Sequence, residues 1–412
     1  MQPNNKGSYQ RITKNTTVLY IRMLFSMIVS LYTSRVVLNT LGVEDYGIYN
    51  VVGGIVVLFG FFNNAMSAST QRFLTFELDR GSFERLRSVF GVSVTLHSII
   101  ALIIFILAET IGLWFLNTQI NIPFERIEAA NWVYQFSIFS FIITVITVPY
   151  SASIISHEKM SFYAYLGIIE VILKLLIVFI LTYGNYDKLK FYAMLTFIVI
   201  LIIRFTYVLY CRKEFNESKS GFLWDKELFR SMGSFANWNL LGVFAGIGYN
   251  QGVNILLNIF FGPTINAARG ITFQVQGAVN NFVSSFQTAV NPPIVKAYAT
   301  NNISFLYNLV FTSSKASFFL LFIISLPVMI NTEEILTLWL KNPPDYSTTF
   351  TRLILCDILV GALSGSIHTL VQATGNIKKY QLLVSGILLL NLPLSYLFLK
   401  MGYPPQITFI IS

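Results

Sequence analysis

A succession of long apolar segments constrains the fold of this chain more than any other feature of its sequence. Charged residues make up only 11% of the 412 residues and hydrophobic residues 54%, whereas a soluble domain carries about 25% charged residues. A bilayer crossing needs about 20 apolar residues, and backbone groups in lipid must be satisfied internally, so each segment is predicted to be a helix. We therefore predict an all-α polytopic membrane protein. The predicted spans are 16–41, 46–74, 87–116, 127–155, 161–183, 189–211, 233–261, 264–296, 304–330, 348–374, 380–401 and 404 to Ser412.

The polar residues exclude several other classes of protein. Cys211 and Cys356 lie far apart, and the three histidines have no ligand-like spacing, so we expect no disulfide framework, no metal and no cofactor. The net charge of +9 resides largely in loops between apolar segments. Such a distribution is typical of cytoplasmic loops of a membrane protein rather than of a nucleic-acid-binding surface.

The loop charges also predict the orientation of the chain in the membrane. If the N-terminus is cytoplasmic, sixteen Lys and Arg residues fall on the inner side. Only five fall on the outer side, namely Arg126, Lys188, Lys190, Lys341 and Lys400. Because cytoplasmic loops carry the excess of Lys and Arg, we predict a cytoplasmic N-terminus in the cell inner membrane.

A faint internal repeat relates the two halves of the chain. When the sequence is shifted by about 220 residues, Gly42 aligns with Gly262. Each of these glycines follows a long apolar helix and precedes a helix that contains several Asn, Gln, Ser and Gly residues. Six spans per copy give both copies one orientation, so we predict two parallel six-helix bundles with a pseudo-two-fold axis along the membrane normal. The predicted domains are an N-terminal lobe over 1–211, a basic cytoplasmic linker over 212–232 and a C-terminal lobe over 233–412. We expect the last helix of the C-terminal lobe to continue past Ser412.

Polar side chains within the spans are the candidate functional residues. The seventh and eighth spans each carry a polar stripe at helical spacing, and polar residues in lipid normally face a bundle interior or a water-filled cavity. Spans one and two carry similar residues, so we predict that spans one, two, seven and eight surround a central polar cavity. The predicted cavity-lining residues are Asn250, Asn254, Asn266, Gln276, Asn280, Ser284 and Gln287.

The predicted membrane interior holds more cations than carboxylates. Glu170 lies four residues before Lys174, which leaves a structural ion pair open at that position. Asp357 is the other deep carboxylate, and Arg352 or Lys315 could pair with it. An excess of cations in a polar cavity favours an anionic ligand, and the Arg fork suits phosphate oxygens. The predicted substrate-binding cations are Arg35, Arg269, Lys315, Arg22, Lys174 and Arg352.

The turn after the first span resembles a motif of a known transporter group. Residues 41–49 read Leu-Gly-Val-Glu-Asp-Tyr-Gly-Ile-Tyr, similar to the recurring "LG..dYGiY" turn of the polysaccharide-biosynthesis flippases of the O-antigen (Wzx) type. These flippases are members of the multidrug/oligosaccharidyl-lipid/polysaccharide exporter (MOP) superfamily. Supporting residues are Gln71-Arg72, Pro149-Tyr150 and Gly375-Asn376. The resemblance implies two six-helix lobes forming a V around the cavity, which opens alternately inward and outward.

The resemblance also implies a function. The implied substrate is a polyprenyl-pyrophosphate-linked oligosaccharide, which is moved to the outer leaflet for O-antigen (lipopolysaccharide), capsule or exopolysaccharide biosynthesis. The implied partners are membrane lipids and other membrane proteins of polysaccharide assembly. An alternative is an H⁺- or Na⁺-coupled multidrug exporter of the same superfamily, with Asp357 and Glu170 as the candidate coupling residues; however, span one lacks the acidic residue typical of such exporters. A membrane enzyme would need a large outer loop or an intramembrane catalytic set, so we predict a transporter and not an enzyme.

Overall fold

The structure is a computed structural model, and it is helical over most of its length. It describes residues 5–57, 60–80, 82–118, 120, 122–182 and 186–412, with the side chains of all but a few of them. The helices are α1 (Asn5–Val57), α2 (Gly60–Arg80), α3 (Phe83–Leu107), α4 (Leu113–Thr118), α5 (Ile127–Ile146), α6 (Val148–Ser156), α7 (Met160–Thr182), α8 (Lys188–Glu214), α9 (Lys226–Phe261), α10 (Pro263–Ala299), α11 (Ile303–Ile330), α12 (Thr332–Leu340), α13 (Ser347–Thr374), α14 (Lys378–Lys400) and α15 (Ile407–Ile410). A π-helical turn joins α3 to α4, and short 3-10 turns precede α5 and follow α8.

Eight helical segments of the described chain are long and apolar enough to cross a membrane. They are Phe83–Thr118, Phe124–Ile146, Met160–Leu181, Lys188–Glu214, Lys226–Phe261, Ile303–Ile330, Ser347–Thr374 and Lys378–Lys400. Helix α10 is 37 residues long, but its many amide side chains make it more polar than these eight. The segment predicted as the start of a twelfth span forms the short helix α15, whose Phe409 packs on Phe350 of α13.

Two glycines shape the corresponding helical hairpins. Gly42 interrupts α1 with φ 83° and ψ 167°, so the first two predicted spans meet there at a kink. Gly262 separates α9 from α10 with nearly the same dihedral angles, φ 80° and ψ −176°. A positive φ of this kind strains residues that carry a Cβ atom, which accounts for glycine at both turns.

The chain forms two compact units. The N-terminal unit comprises Thr17–Ala236, and the C-terminal unit comprises Asn237–Ser412 together with the chain up to Thr16. Helices α1 and α9 therefore each contribute residues to both units. In the N-terminal unit, large side chains such as Phe90 and Ile203 pack between α2, α3, α6, α7 and α8.

The C-terminal unit is built around α10, α11 and α13. Val283 of α10 packs with Leu321 of α11 and Leu355 of α13 in one apolar cluster. A second cluster joins Leu309 of α11 to the early residue Ile12 of α1. This packing fixes the face of α10 that is buried against its neighbours, and hence the face that meets α9.

Candidate functional site

The candidate site lies where α9 and α10 meet, in the C-terminal unit. The turn at Gly262 folds α10 back along α9, so that polar side chains of the two helices face each other. The Nδ2 of Asn266 donates hydrogen bonds to the backbone oxygen of Asn254 at 2.8 Å and to its Oδ1 at 2.7 Å. The Nδ2 of Asn258 donates to Asn266 Oδ1 at 3.3 Å. The facing amide groups thus satisfy one another in place of water.

Arg269 is the buried cation of this site, with only 5% of its surface exposed. Its Nη1 donates to the backbone oxygen of Asn250 at 2.9 Å, and its Nη2 approaches Asn250 Oδ1 at 3.4 Å. The guanidinium lies 4.5 Å from the centre of the Phe273 ring. Its Nε has no hydrogen-bond partner within the described part of the chain. No ion pair between described residues includes Arg269, so its charge is met by neutral groups.

Arg269 lines two cavities. Asn250, Phe273 and Gln276 also line both of them. One, of about 240 Å³, is also lined by Tyr249 and Asp357. The other, of about 420 Å³, is lined by amide side chains that include Asn254 and Asn266. The arginine therefore stands between a cavity that carries a carboxylate and one that carries only neutral polar groups.

The two cavities beside Arg269 are lined by only the first residues of the polar stripe predicted along α10. Asn280 and Ser284 are exposed. Gln287 packs against Gly365 of α13, where a Cβ atom would lie 1.9 Å from the Gln287 Nε2. The stripe thus lines the two cavities only at its start, and Gln287 serves the contact between α10 and α13.

Two of the predicted cations, Arg22 and Lys174, lie in the N-terminal unit on α1 and α7. The guanidinium of Arg22 lies 4.6 Å from the centre of the Tyr163 ring, and its Cδ occupies the space beside Gly167. The Nζ of Lys174 lies 2.6 Å from Glu170 Oε1. Lys174 therefore forms the ion pair with Glu170 that the sequence analysis gave as one alternative. The carboxylate of Glu170 neutralises the charge of Lys174.

The remaining predicted cations are Arg352, Lys315 and Arg35. The Nε of Arg352 donates to the backbone oxygen of Met329 near the end of α11, at 3.1 Å. Lys315 is exposed on α11. Neither forms an ion pair with Asp357 among the described residues; Asp357 instead lines the cavity beside Arg269. Arg35 lies in α1, and its side chain is outside the described residues.

The sequence analysis did not predict an ion-pair cluster in the N-terminal unit, in which Arg126 contacts two aspartates. Arg126 donates through Nε to Asp45 Oδ1 at 2.8 Å and through Nη1 to Asp187 Oδ2 at 2.9 Å. Asp187 also caps α8 by accepting hydrogen bonds from the backbone N–H groups of Leu189 and Lys190. Burial acts to raise the pKa of Asp187, but the hydrogen bonds from Arg126 and the two backbone N–H groups outweigh it and leave that pKa below its usual value. Asp45 belongs to the motif around the Gly42 turn, and this motif was the one feature of the sequence that could have pointed to the ion-pair cluster.

Solved structures resemble this chain over nearly its whole length. A multidrug resistance MATE family transporter of the MOP superfamily, in an outward-facing conformation, matches with a TM-score of 0.82 and 13% identity over 98% of this chain and 91% of its own. The chain has the same fold as this transporter. A MATE protein in complex with MaL6 matches with a TM-score of 0.78 and 13% identity, over 97% and 92% of the two chains. A variant of the Vibrio cholerae MATE transporter VcmN matches with a TM-score of 0.76 and 15% identity, over 100% and 93%.

The MOP fold confirms the prediction of an all-helical polytopic membrane protein. No family model matches the chain, and no curated protein matches its sequence. At 13–15% identity the structural matches establish the fold alone.

Proposed function

We propose that this chain is a flippase that moves polyprenyl-pyrophosphate-linked oligosaccharide from the cytoplasmic to the outer leaflet of the inner membrane, by alternating access, with its N-terminus in the cytoplasm. The observation that carries the proposal is the setting of Arg269. It is a buried guanidinium whose described partners are neutral, beside two cavities. A buried charge without a counter-ion is costly, and a phosphate group can accept two parallel hydrogen bonds from a guanidinium and neutralise its charge.

The groups around Arg269 suit the other parts of this substrate. The amide groups of Asn254 and Gln276 can donate to phosphate oxygens and exchange hydrogen bonds with sugar hydroxyls. The polyprenyl tail stays in lipid beside the protein, because its transfer into a polar cavity is unfavourable. Arg35 remains in the proposal as the second phosphate-binding residue, on the strength of the sequence.

The leaflet in which the lipid-linked sugar resides tests this proposal. The gene is deleted in its host, right-side-out vesicles are prepared, and a membrane-impermeant glycosidase is added. We expect the intermediate to accumulate and to be protected inside the vesicles. An intermediate that reaches the outer face normally but remains unpolymerised would contradict the proposal, since it would place the protein after the flipping step.

The second candidate is an H⁺- or Na⁺-coupled multidrug exporter. The observation that favours it is the carboxylate of Asp357 in the smaller cavity beside Arg269, since a cavity carboxylate can take up the coupling ion. This candidate predicts drug efflux that Asp357→Asn abolishes, with Glu170→Gln as the second variant to compare. The flippase predicts unchanged drug sensitivity in the deletion strain.

A further inference from the structure

The connection between α8 and α9 packs against other helices of the N-terminal unit along its length. We call residues 215–225 the α8–α9 strap. At its first end, the ring of Phe215 stacks on His157 with 3.9 Å between ring centres. The next turn places Glu217 Oε1 2.6 Å from His157 Nε2, and Glu217 is buried there. The strap is thus tied to the turn between α6 and α7, within the N-terminal unit.

The middle of the strap runs along one face of α3. The Oγ of Ser220 donates to the backbone oxygen of Glu217 at 2.5 Å and lies 3.4 Å from the backbone oxygen of Arg87 on α3. The hydroxyl of Thr95 donates to the backbone oxygen of Leu223 at 2.9 Å. Between these bonds, the Leu223 side chain fills the space beside Gly91, where a Cβ atom would lie 2.6 Å from Leu223 Cδ1. The contacts on α3 recur every fourth residue, as expected for one helical face.

Two aromatic side chains of the strap flank Leu223 and are largely exposed. Phe222 and Trp224 have 71% and 67% of their surfaces exposed. One side of the Trp224 ring packs on Phe229 of α9, with 4.6 Å between ring centres. Phe83, at the first residue of α3, is also exposed. Large aromatic side chains exposed together indicate a surface that another phase or partner covers.

The charges around these rings are mainly positive. Arg85 reaches Asp225 at 3.7 Å and Glu227 at 3.8 Å, so two of the nearby carboxylates face a cation of the same surface. The exposed carboxylates of this surface are Glu84, Glu214 and Glu227. Its exposed cations are Arg87, Arg212, Lys213, Lys219, Lys226 and Arg230. The surface therefore combines exposed aromatic rings with an excess of exposed cations.

We propose that the α8–α9 strap is a docking surface for the anionic headgroup layer of the membrane. The strap adjoins the starts of α3 and α9, at Phe83 and Lys226, and both helices are long and apolar enough to cross a membrane. The proposal places the strap at the level of the headgroups, where these two helices would enter the bilayer. Trp and other aromatic rings are favoured at that level, and each nearby Lys or Arg strengthens attraction to anionic lipid. Insertion of Phe222 and Trp224 would hold the starts of α3 and α9 at a fixed depth, whichever substrate the protein carries.

The depth of the two rings in lipid tests this proposal. The whole chain carrying Cys356→Ser, with the buried Cys211 retained, receives a nitroxide label through Phe222→Cys, Trp224→Cys or, as the matched exposed control, Glu227→Cys. Each variant is placed in nanodiscs of phosphatidylcholine alone or with phosphatidylglycerol. Accessibility of the label to oxygen and to a water-soluble nickel chelate is then measured by electron paramagnetic resonance, and folding is checked by thermal unfolding.

We expect labels at 222 and 224 to become accessible to oxygen and shielded from nickel when phosphatidylglycerol is present, whereas the label at 227 stays open to nickel. Adding Lys219→Gln should lower the equilibrium constant for insertion about fivefold at a given phosphatidylglycerol fraction, as expected for one cation near the surface. Labels equally open to nickel at all three positions would overturn the proposal, as would insertion that ignores phosphatidylglycerol. Shielding from both reagents only after addition of a cell extract would also overturn it, in favour of a protein partner.

Discussion

Arg126 and Arg269 are the same side chain in two opposite environments. Arg126 donates to two carboxylates, Asp45 and Asp187, and joins three connections of the N-terminal unit. Arg269 is more deeply buried, yet its described partners are an amide, a backbone carbonyl and an aromatic ring. The carboxylates of the first site outnumber its arginine, whereas the second site has a cation and no ion-paired carboxylate in the described chain.

The difference separates a structural arginine from a ligand-binding one. A guanidinium whose N–H groups meet two carboxylates has little left to offer a substrate, and its removal leaves two acids facing each other. A guanidinium held by neutral groups keeps its charge for a ligand, and the cavities beside Arg269 give the ligand access. Substitutions at the two sites should therefore affect different measurements.

The largest effect is expected for Arg269→Ala. We predict that it lowers transport about a hundredfold or more, the loss typical of truncating one member of a buried charge pair. The amount of protein in the membrane and its thermal unfolding should stay close to those of the wild type. Arg269→Lys should recover part of the activity, because Lys supplies the charge without the planar fork. Glycan export is measured by the vesicle assay described above, per molecule of inserted protein.

The sequence assigns the same role to Arg35, so Arg35→Ala gives a parallel test of export. Normal export by both Arg269→Ala and Arg35→Ala would contradict the view that these cations hold the substrate. Loss of export together with loss of inserted protein would instead make Arg269 a structural residue like Arg126.

For Arg126→Ala we predict the converse result, a loss of stability with little loss of transport per folded molecule. Removing the arginine leaves Asp45 and Asp187 unpaired in a partly buried site, at a cost of about 2 kcal/mol, between the values for exposed and buried pairs. The melting temperature of the purified protein should fall. The double variant Arg126→Ala with Asp45→Asn should melt higher than Arg126→Ala alone, and a double variant that melts lower still would show that Asp45 has another role.

The acid limb of stability provides a finer test of the same cluster. The pKa of Asp187 is lowered in the folded protein from its ordinary value of 3.8. A carboxyl with a lowered pKa contributes stability above its unfolded pKa, and that contribution is lost as the pH falls through the folded-state pKa. We therefore expect the melting temperatures of the wild type and Asp187→Asn to differ by a constant amount at neutral pH and to converge as the pH falls below 3.8. A difference that grows on acidification would contradict the assignment.

The contrast between the two arginines also shows what the sequence could predict. The spans, the glycine turns and the polar residues of α9 and α10 are local patterns, with a period of 3.6 residues or a conformation that glycine tolerates. From them, Arg269 could be placed beside Asn250 and Asn254 on facing helices. Local patterns do not determine which distant residue meets a given face, however.

The features that the sequence missed depend on such distant pairs. Asp45 and Arg126 are separated by 81 positions and Arg126 and Asp187 by 61. The contact of Gln287 with α13 is a further example, since periodicity does not reveal that Gly365 leaves space for its side chain. The position of Asp357 likewise follows from the way α13 packs beside α10.

The smallest effect is expected for substitution of Lys174. The sequence analysis predicted that this residue binds the substrate, whereas in the structure its Nζ lies 2.6 Å from Glu170 Oε1. A partly exposed pair four residues apart on a helix is worth about 0.3–0.5 kcal/mol. Lys174→Gln should therefore change the melting temperature only slightly and leave transport near the wild-type rate. Glu170→Gln should have an effect of the same size, and the double variant should be no worse than either single one, because the pair is lost only once. A large loss of transport in Lys174→Gln that Glu170→Gln does not share would move Lys174 from the group of Arg126 to that of Arg269.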